Sequence, residues 1–192
     1  SLDSILSQTF SDFELIIVDD ASTDKTLKIL EEYAKKDSRL KVCINEENKG
    51  LTASLNIALK QISADTEYIC RMDDDDICEQ NRFEKQIEYF MANSQIGIVG
   101  SNAIIIDDKN MIIGKRKVPA EHNKILATLP RYNPIIHPSV MIRREVLEKV
   151  GGYNEKYRTS QDYALWFRLA ADGVKFANLQ EYLLKYRETR SA

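Results

Sequence analysis

Cysteine is scarce: Cys43, Cys70 and Cys78 are the only three, an odd number without paired C-x-x-C spacing. A disulfide framework and a zinc knuckle are therefore not indicated, and a reducing compartment fits. Glycine and proline number only 7 and 4, which excludes collagen-like and low-complexity classes. The longest apolar run, residues 96–106, is broken by Ser101 and Asn102 and falls short of the ~20 residues a membrane span needs. Asp3, Ser7, Gln8 and Thr9 break any leader-like apolar core at the start. The 27 Lys and Arg against 30 Asp and Glu leave a net charge of -3, so there is no global basic field and no nucleic-acid partner is expected. What is present, 43% apolar and 30% charged residues, is the balance of a globular domain long enough to bury a core, expected in the cytoplasm.

The first half alternates short apolar runs with amphipathic stretches, the pattern of an α/β fold with a mostly parallel sheet and helices on both faces. Strands are predicted at 13–18, 40–44 and 68–72. Helices follow, carrying Leu27, Leu30, Tyr33 and Ala34, then Leu51, Leu55, Ile57, Ala58 and Leu59, then Phe83, Ile87, Phe90 and Met91. In the second half, 96–106 and 111–114 flank the turn Asp107-Asp108-Lys109-Asn110 and read as a hairpin, an antiparallel addition. A helix is expected at 120–129, a strand at 137–143, an amphipathic helix at 160–171 and short strands over 174–187. No repeat or linker divides the chain, so 1–192 reads as a single domain.

Two acidic clusters, Asp19-Asp20 and Asp73-Asp74-Asp75-Asp76, follow the ends of apolar strands. Ligand crevices in open α/β sheets lie outside such ends. Four adjacent carboxylates beside a core strand repel one another unless a cation or donors compensate them. Oxygen-only ligands favour Mg²⁺ or Mn²⁺, and Mg²⁺ is held by one or two carboxylates together with phosphate oxygens and water. The ligand this implies is a metal-bound diphosphate. The plainer alternative is a solvated acidic loop at a helix N-terminus. A receiver domain, which also carries an acidic pair after its first strand, is a further alternative.

The segments VDDASTD (18–24), NKGLTASLN (48–56), RMDDDD (71–76), HPSVMIRREVLEKVGGYNEKY (137–157) and SQDYALWFRL (160–169) together resemble family 2 glycosyltransferases of the GT-A fold, particularly members from bacterial polysaccharide biosynthesis. The resemblance implies a metal-dependent, inverting transfer of a sugar from a nucleotide-sugar donor, UDP-linked, to an acceptor hydroxyl on a saccharide or lipid-linked molecule. It makes 1–95 the nucleotide-binding half and 96–192 the acceptor-binding half. Asp20 then matches the aspartate that hydrogen-bonds the base, with Asp19 positioning its loop. Asp73 and Asp74 fall on the nucleotide side of the DxD motif, Asp75 binds Mn²⁺ or Mg²⁺, and Asp76 is a supporting charge. Asp162 matches the catalytic base. His137 and Trp166 become candidate contacts to donor sugar or acceptor, although a structural histidine and a core tryptophan are ordinary alternatives. Peripheral association with the inner face of the cytoplasmic membrane is compatible with this reading.

The sequence departs from the family pattern in three places. Leu55 stands where many members have a phosphate-contacting Arg, leaving a metal, Lys49 or Arg71 to meet the phosphate charge. Thr189 stands where many have a His after the Tyr-Arg pair matched by Tyr186-Arg187. The family's opening strand and turn, which normally precede a segment like SLDSILSQTF (1–10), are not in this sequence, so a longer protein is expected. The alternative function is a receiver-like or degenerate nucleotide-binding module without transfer activity.

Overall fold

The computed structural model describes residues 1–188; the expectation attached to Thr189 lies outside them. In chain order the elements are α1 (Leu2–Leu6), β1 (Leu15–Asp19), α2 (Thr26–Ala34), β2 (Leu40–Ile44), α3 (Leu51–Leu59), β3 (Tyr68–Cys70), β4 (Ile77–Cys78) and α4 (Arg82–Ala92). There follow β5 (Ile96–Ile106), β6 (Ile112–Arg116), α5 (His122–Thr128), β7 (Met141–Arg143), α6 (Arg144–Lys149), α7 (Gln161–Ala171) and β8 (Lys175–Arg187). They form two compact units, each drawing on both halves of the sequence: Ser1–Ser11, Glu67–Leu147 and Leu169 onward make the first, Asp12–Thr66 and Glu148–Arg168 the second.

In the first unit six strands form one sheet in the order β3-β7-β5-β8-β4, with β6 paired to β5. β5 and β8 run parallel, and the other pairings are antiparallel. The long apolar run of β5 is the core of this sheet, with Ile98, Val99, Ala103 and Ile106 almost wholly buried. From α4, Phe90 is fully buried and stacks on Tyr68 with ring centroids 4.9 Å apart. Gln86 Nε2 donates to the Val99 and Ser139 carbonyls, each at 2.9 Å, satisfying backbone acceptors inside the core. The strand predicted at 137–143 is shorter than expected. Residues His137–Ser139 form a 3-10 turn instead, because Pro138 has no N–H to give a ladder and Ser139 N–H turns back to the Ile136 carbonyl at 2.9 Å.

In the second unit β1 and β2 pair in parallel, from Leu15 opposite Leu40 to Asp19 opposite Ile44, as expected of a strand-helix-strand unit joined by α2. Asp24 accepts the Thr26 N–H at 2.8 Å in the turn before α2, whose Leu30 is buried. The segment 148–168 is fastened to α3 through Asn56, which accepts the Tyr153 N–H at 3.0 Å and donates to the Tyr153 carbonyl at 2.9 Å. Gly152 is required there on two counts: its φ is +71°, and a Cβ would stand 2.9 Å from Asn56 Oδ1.

Glu14, just before β1, accepts hydrogen bonds from Lys41 Nζ at 2.5 Å and from Ser63 N and Oγ at 2.6 and 2.9 Å. Burial alone would raise its pKa, but these donors outweigh it and hold the carboxyl at about 2 instead of 4.5. A pKa lowered by folding means stability that is present above pH 4.5 and lost as the pH falls toward 2. Glu14→Gln is therefore expected to cost about 1–2 kcal/mol at neutral pH. Urea denaturation across that acid range would show a flatter pH dependence for the variant than for the parent.

Candidate active site

In the second unit, Asp19 closes β1 and Asp20 follows it. Ala21, next in line, has φ +60°, an uncommon conformation for a residue with a Cβ, which costs about 1–3 kcal/mol and gathers at functional loops. The Asp20 carboxylate accepts Asn45 Nδ2 at 2.7 Å and the N–H groups of Lys49 and Gly50 at 2.9 and 2.8 Å. Burial pushes its pKa up, but the Lys49, Asn45 and Gly50 donors push harder and keep it below the usual carboxylate range. Asp20 thus stays ionised and fixes the loop ahead of α3. Asp19 is buried; its Oδ2 receives the Ser22 N–H at 3.4 Å, while its Oδ1 has no hydrogen-bond partner among the described residues. Asn45 was not singled out in the sequence, although its place directly after an apolar strand was the signal that could have found it.

Asp162 lies in the first turn of α7 and is half-buried. It is not the residue that opens the helix. Ser160, with φ +57°, does so and accepts the Ala164 N–H at 3.0 Å. On the same helix Trp166 is fully buried, so its ring offers no face to a ligand here, whereas Phe167 is 44% exposed. Leu55 and Asn56 sit side by side on α3, where Asn56 is occupied by the Tyr153 backbone and by Glu155 Oε1 at 2.9 Å.

In the first unit the four aspartates occupy the loop between β3 and β4. Because β4 and residues 79–81 separate this loop from α4, the run does not serve as that helix's N-terminal charge. The loop is pinned at both ends by arginines. Arg82, fully buried, donates to the Arg71 carbonyl at 2.9 Å and the Val140 carbonyl at 3.1 Å. Arg187 donates from Nε to the Asp75 carbonyl at 2.8 Å and from its backbone N to Asp76 Oδ1 at 2.8 Å. The same Arg187 guanidinium reaches the β5–β6 turn, donating to the Asp107 carbonyl and to Asn110 Oδ1.

The carboxylates differ sharply in environment. Asp73 pairs with Nη2 of the buried Arg71, whose Nε and Nη1 have no hydrogen-bond partner among the described residues. Asp74 and Asp75 are exposed. The Asp75 pKa is raised by burial of part of the group and then by the charges of Asp73 and Asp74. Asp76 is wholly buried and its Oδ2 has no hydrogen-bond partner among the described residues. Burial chiefly pushes its carboxyl up to about 7, with Asp73 and Asp75 adding to the rise and the Arg187 N–H and Arg71 opposing it. His137 is buried, and burial together with Arg71 drives its pKa well down, so the imidazole is neutral. Among the described residues no group of three or more His, Cys, Asp or Glu is arranged to hold a metal by itself.

The antiparallel pairing of β3 with β7 and of β4 with β8 is incompatible with a receiver domain, whose doubly wound sheet is parallel. The fold is GT-A, and the solved structure of Staphylococcus aureus TarS in complex with UDP superposes with a TM-score of 0.75 at 24% identity, covering 99% of this chain and 55% of that one. EpsE of Bacillus subtilis, which carries a glycosyltransferase name, is 36% identical over all of this chain and 68% of its own length. WbnJ of Escherichia coli, an O-antigen biosynthesis glycosyltransferase, is 37% identical over 97% of this chain and 72% of its own. The profile of glycosyl transferase family 2 matches residues 1–151, and the chain belongs to that family.

Proposed function

We propose that this chain transfers a sugar from a UDP-linked donor to a hydroxyl of a saccharide or lipid-linked acceptor during surface polysaccharide assembly. The observation that carries this reading is the acidic loop 73–76, held by Arg82 and Arg187 while Asp74 and Asp75 stay exposed and Asp76 keeps a buried oxygen that nothing among the described residues bonds. Such a loop is short of positive charge. Its donor set is oxygen only, which fits a hard cation held by Asp75 together with diphosphate oxygens and water and explains why no three-ligand protein cluster is needed. The cation, Mn²⁺ or Mg²⁺, would offset the charge accumulating on the departing diphosphate.

The chain's own groups supply orientation and the proton acceptor. Asp20, ionised and fixed by three donors, presents a preorganised carboxylate edge for the base of the nucleotide, and Asp73 and Asp74 border the sugar of the nucleoside. The Asp162 carboxylate takes the proton of the acceptor hydroxyl as its oxygen bonds to the anomeric carbon. The bond from that carbon to the diphosphate breaks on the opposite face, the diphosphate keeps the electron pair, and the configuration inverts.

Calorimetry with UDP, with and without Mn²⁺, followed by detection of UDP released from a panel of UDP-sugars in the presence of acceptor, tests the proposal on the full-length protein. Binding that requires Mn²⁺ and release that requires acceptor are expected. Binding indifferent to Mn²⁺, or binding without release for every donor, would instead identify a degenerate nucleotide-binding module.

A further inference from the structure

No helix among the described residues is long and apolar enough to cross a membrane, yet the first unit carries a feature that the sugar-transfer chemistry does not use. At the tip of the β5–β6 hairpin Met111, Ile112 and Ile113 are 63%, 63% and 40% exposed. Single exposed apolar side chains are ordinary, but three in succession are not, and Ile112 and Ile113 are neighbours on β6, where alternation normally hides every second side chain. Here neither face of the tip is covered. Among the described residues β6 pairs with β5 alone, and no strand lies along its other edge.

The residues around this tip carry one sign of charge. Lys109, Lys115 and Lys117 are exposed, Arg116 is half-buried, and no carboxylate occurs from Lys109 to Ala120, although the whole chain has a net charge of -3. Asp108, exposed on the turn, adjoins Lys109, and the Asp107 carboxylate is occupied by the N–H groups of Lys109 and Met111 at 2.9 and 2.8 Å. An apolar tip set among lysines suits a surface that is apolar within and anionic outside. A second copy of the chain is a poor occupant, because pairing two β6 edges would bring the lysines of both copies together.

We infer that the β5–β6 hairpin docks on an anionic lipid bilayer, with Met111, Ile112 and Ile113 entering the boundary between headgroups and acyl chains and Lys109, Lys115 and Lys117 meeting the headgroups. Arg187 gives the docking a consequence. Its guanidinium joins the Asp107 carbonyl and Asn110 Oδ1 of this turn to the Asp75 carbonyl, so the surface that receives the hairpin also sets the height of the acidic loop. That consequence, unlike the docking itself, rests on the proposed sugar transfer, and it matches an acceptor presented at a membrane.

Flotation of the full-length protein with vesicles of phosphatidylcholine alone, and of phosphatidylcholine and phosphatidylglycerol in equal parts, tests the docking without reference to catalysis. The parent is expected to float with the anionic vesicles and to be released by salt. The combined variant Met111→Ser, Ile112→Ser, Ile113→Ser and the variant Lys115→Glu, Lys117→Glu are each expected to lose about tenfold or more in partitioning. Unchanged thermal melts would show that both variants are folded. Absence of the parent from anionic vesicles at low salt overturns the inference, as does equal flotation of folded variants. A dimer in sedimentation velocity that the serine variant dissolves, without vesicle binding by the parent, would also overturn it and assign the tip to self-association.

Discussion

Asp162→Asn is expected to lower kcat for sugar transfer by roughly 10²–10⁴-fold while leaving UDP affinity within about twofold of the parent. Asparagine keeps the shape of the side chain and one carbonyl acceptor, but it cannot take a proton at neutral pH. Helix opening survives the change because it depends on Ser160, whose carbonyl accepts the Ala164 N–H at 3.0 Å. If Asp162 served only to place negative charge in the first turn of α7, its loss would remove about 0.3–1 kcal/mol of stability and leave kcat untouched. Thermal melts, calorimetry with UDP and initial rates at saturating donor separate these outcomes. Parallel loss of UDP affinity and rate would show that Asp162 supports the fold of the second unit and does not take the proton.

The placement of Ser160 sharpens this expectation. A serine at φ +57° is held in a conformation it disfavours two residues before Asp162, and Ala21 at φ +60° stands directly after Asp20. Strain of this kind persists only where surrounding contacts enforce it. Both instances lie beside aspartates that the sequence motifs had singled out, and propensity would have placed neither.

Other features show where sequence reasoning ran out. β1, β2 and β5 were legible because each is an apolar run of a length only a strand or a buried helix can use, bounded by polar residues, whereas the short strands expected over 174–187 are one strand of 13 residues, β8, whose Lys, Asn, Gln and Glu break any apolar run. β4 has two residues and therefore no period to detect. The antiparallel partnership of β3 with β7 joins Tyr68 to Arg143 across the sheet, and nothing local to either segment encodes that choice. In the acidic loop the four adjacent aspartates stood out in the sequence, although a solvated loop was the plainer alternative there. The arginines that organise them did not stand out. Nothing local to Arg82 marks it in the sequence, and the Tyr186-Arg187 match gave Arg187 no role at the loop; folding shows that one is fully buried on backbone carbonyls and that the other ties Asp75 to the Asp107 turn. Trp166 was equally ambiguous, because an amphipathic helix position suits a core ring as well as a sugar contact; the packing of α7 buries it.

Asp75→Ala is expected to move binding and stability in opposite directions. Calorimetry should show Mn²⁺-dependent UDP affinity falling about 100-fold or more, since a hard cation bound by one or two carboxylates loses a large share of its protein ligands with one of them. Thermal melts of the metal-free variant should be unchanged or slightly higher, by less than about 1 kcal/mol, because the site is exposed and solvent screens it. The sign follows from the charges: burial and then Asp73 and Asp74 raise the Asp75 pKa, so its ionised side chain is disfavoured in the folded chain and its removal relieves repulsion. Loop shape is retained, because Arg187 Nε is bonded to the Asp75 carbonyl and not to its carboxylate. Chelation of the parent with EDTA should reproduce the binding defect, and adding Mn²⁺ back should repair the parent alone. Equal UDP affinity for parent and variant would remove Asp75 from the metal site. A destabilisation beyond about 2 kcal/mol would mark its side chain as structural, since an exposed carboxylate without a structural role changes stability by much less.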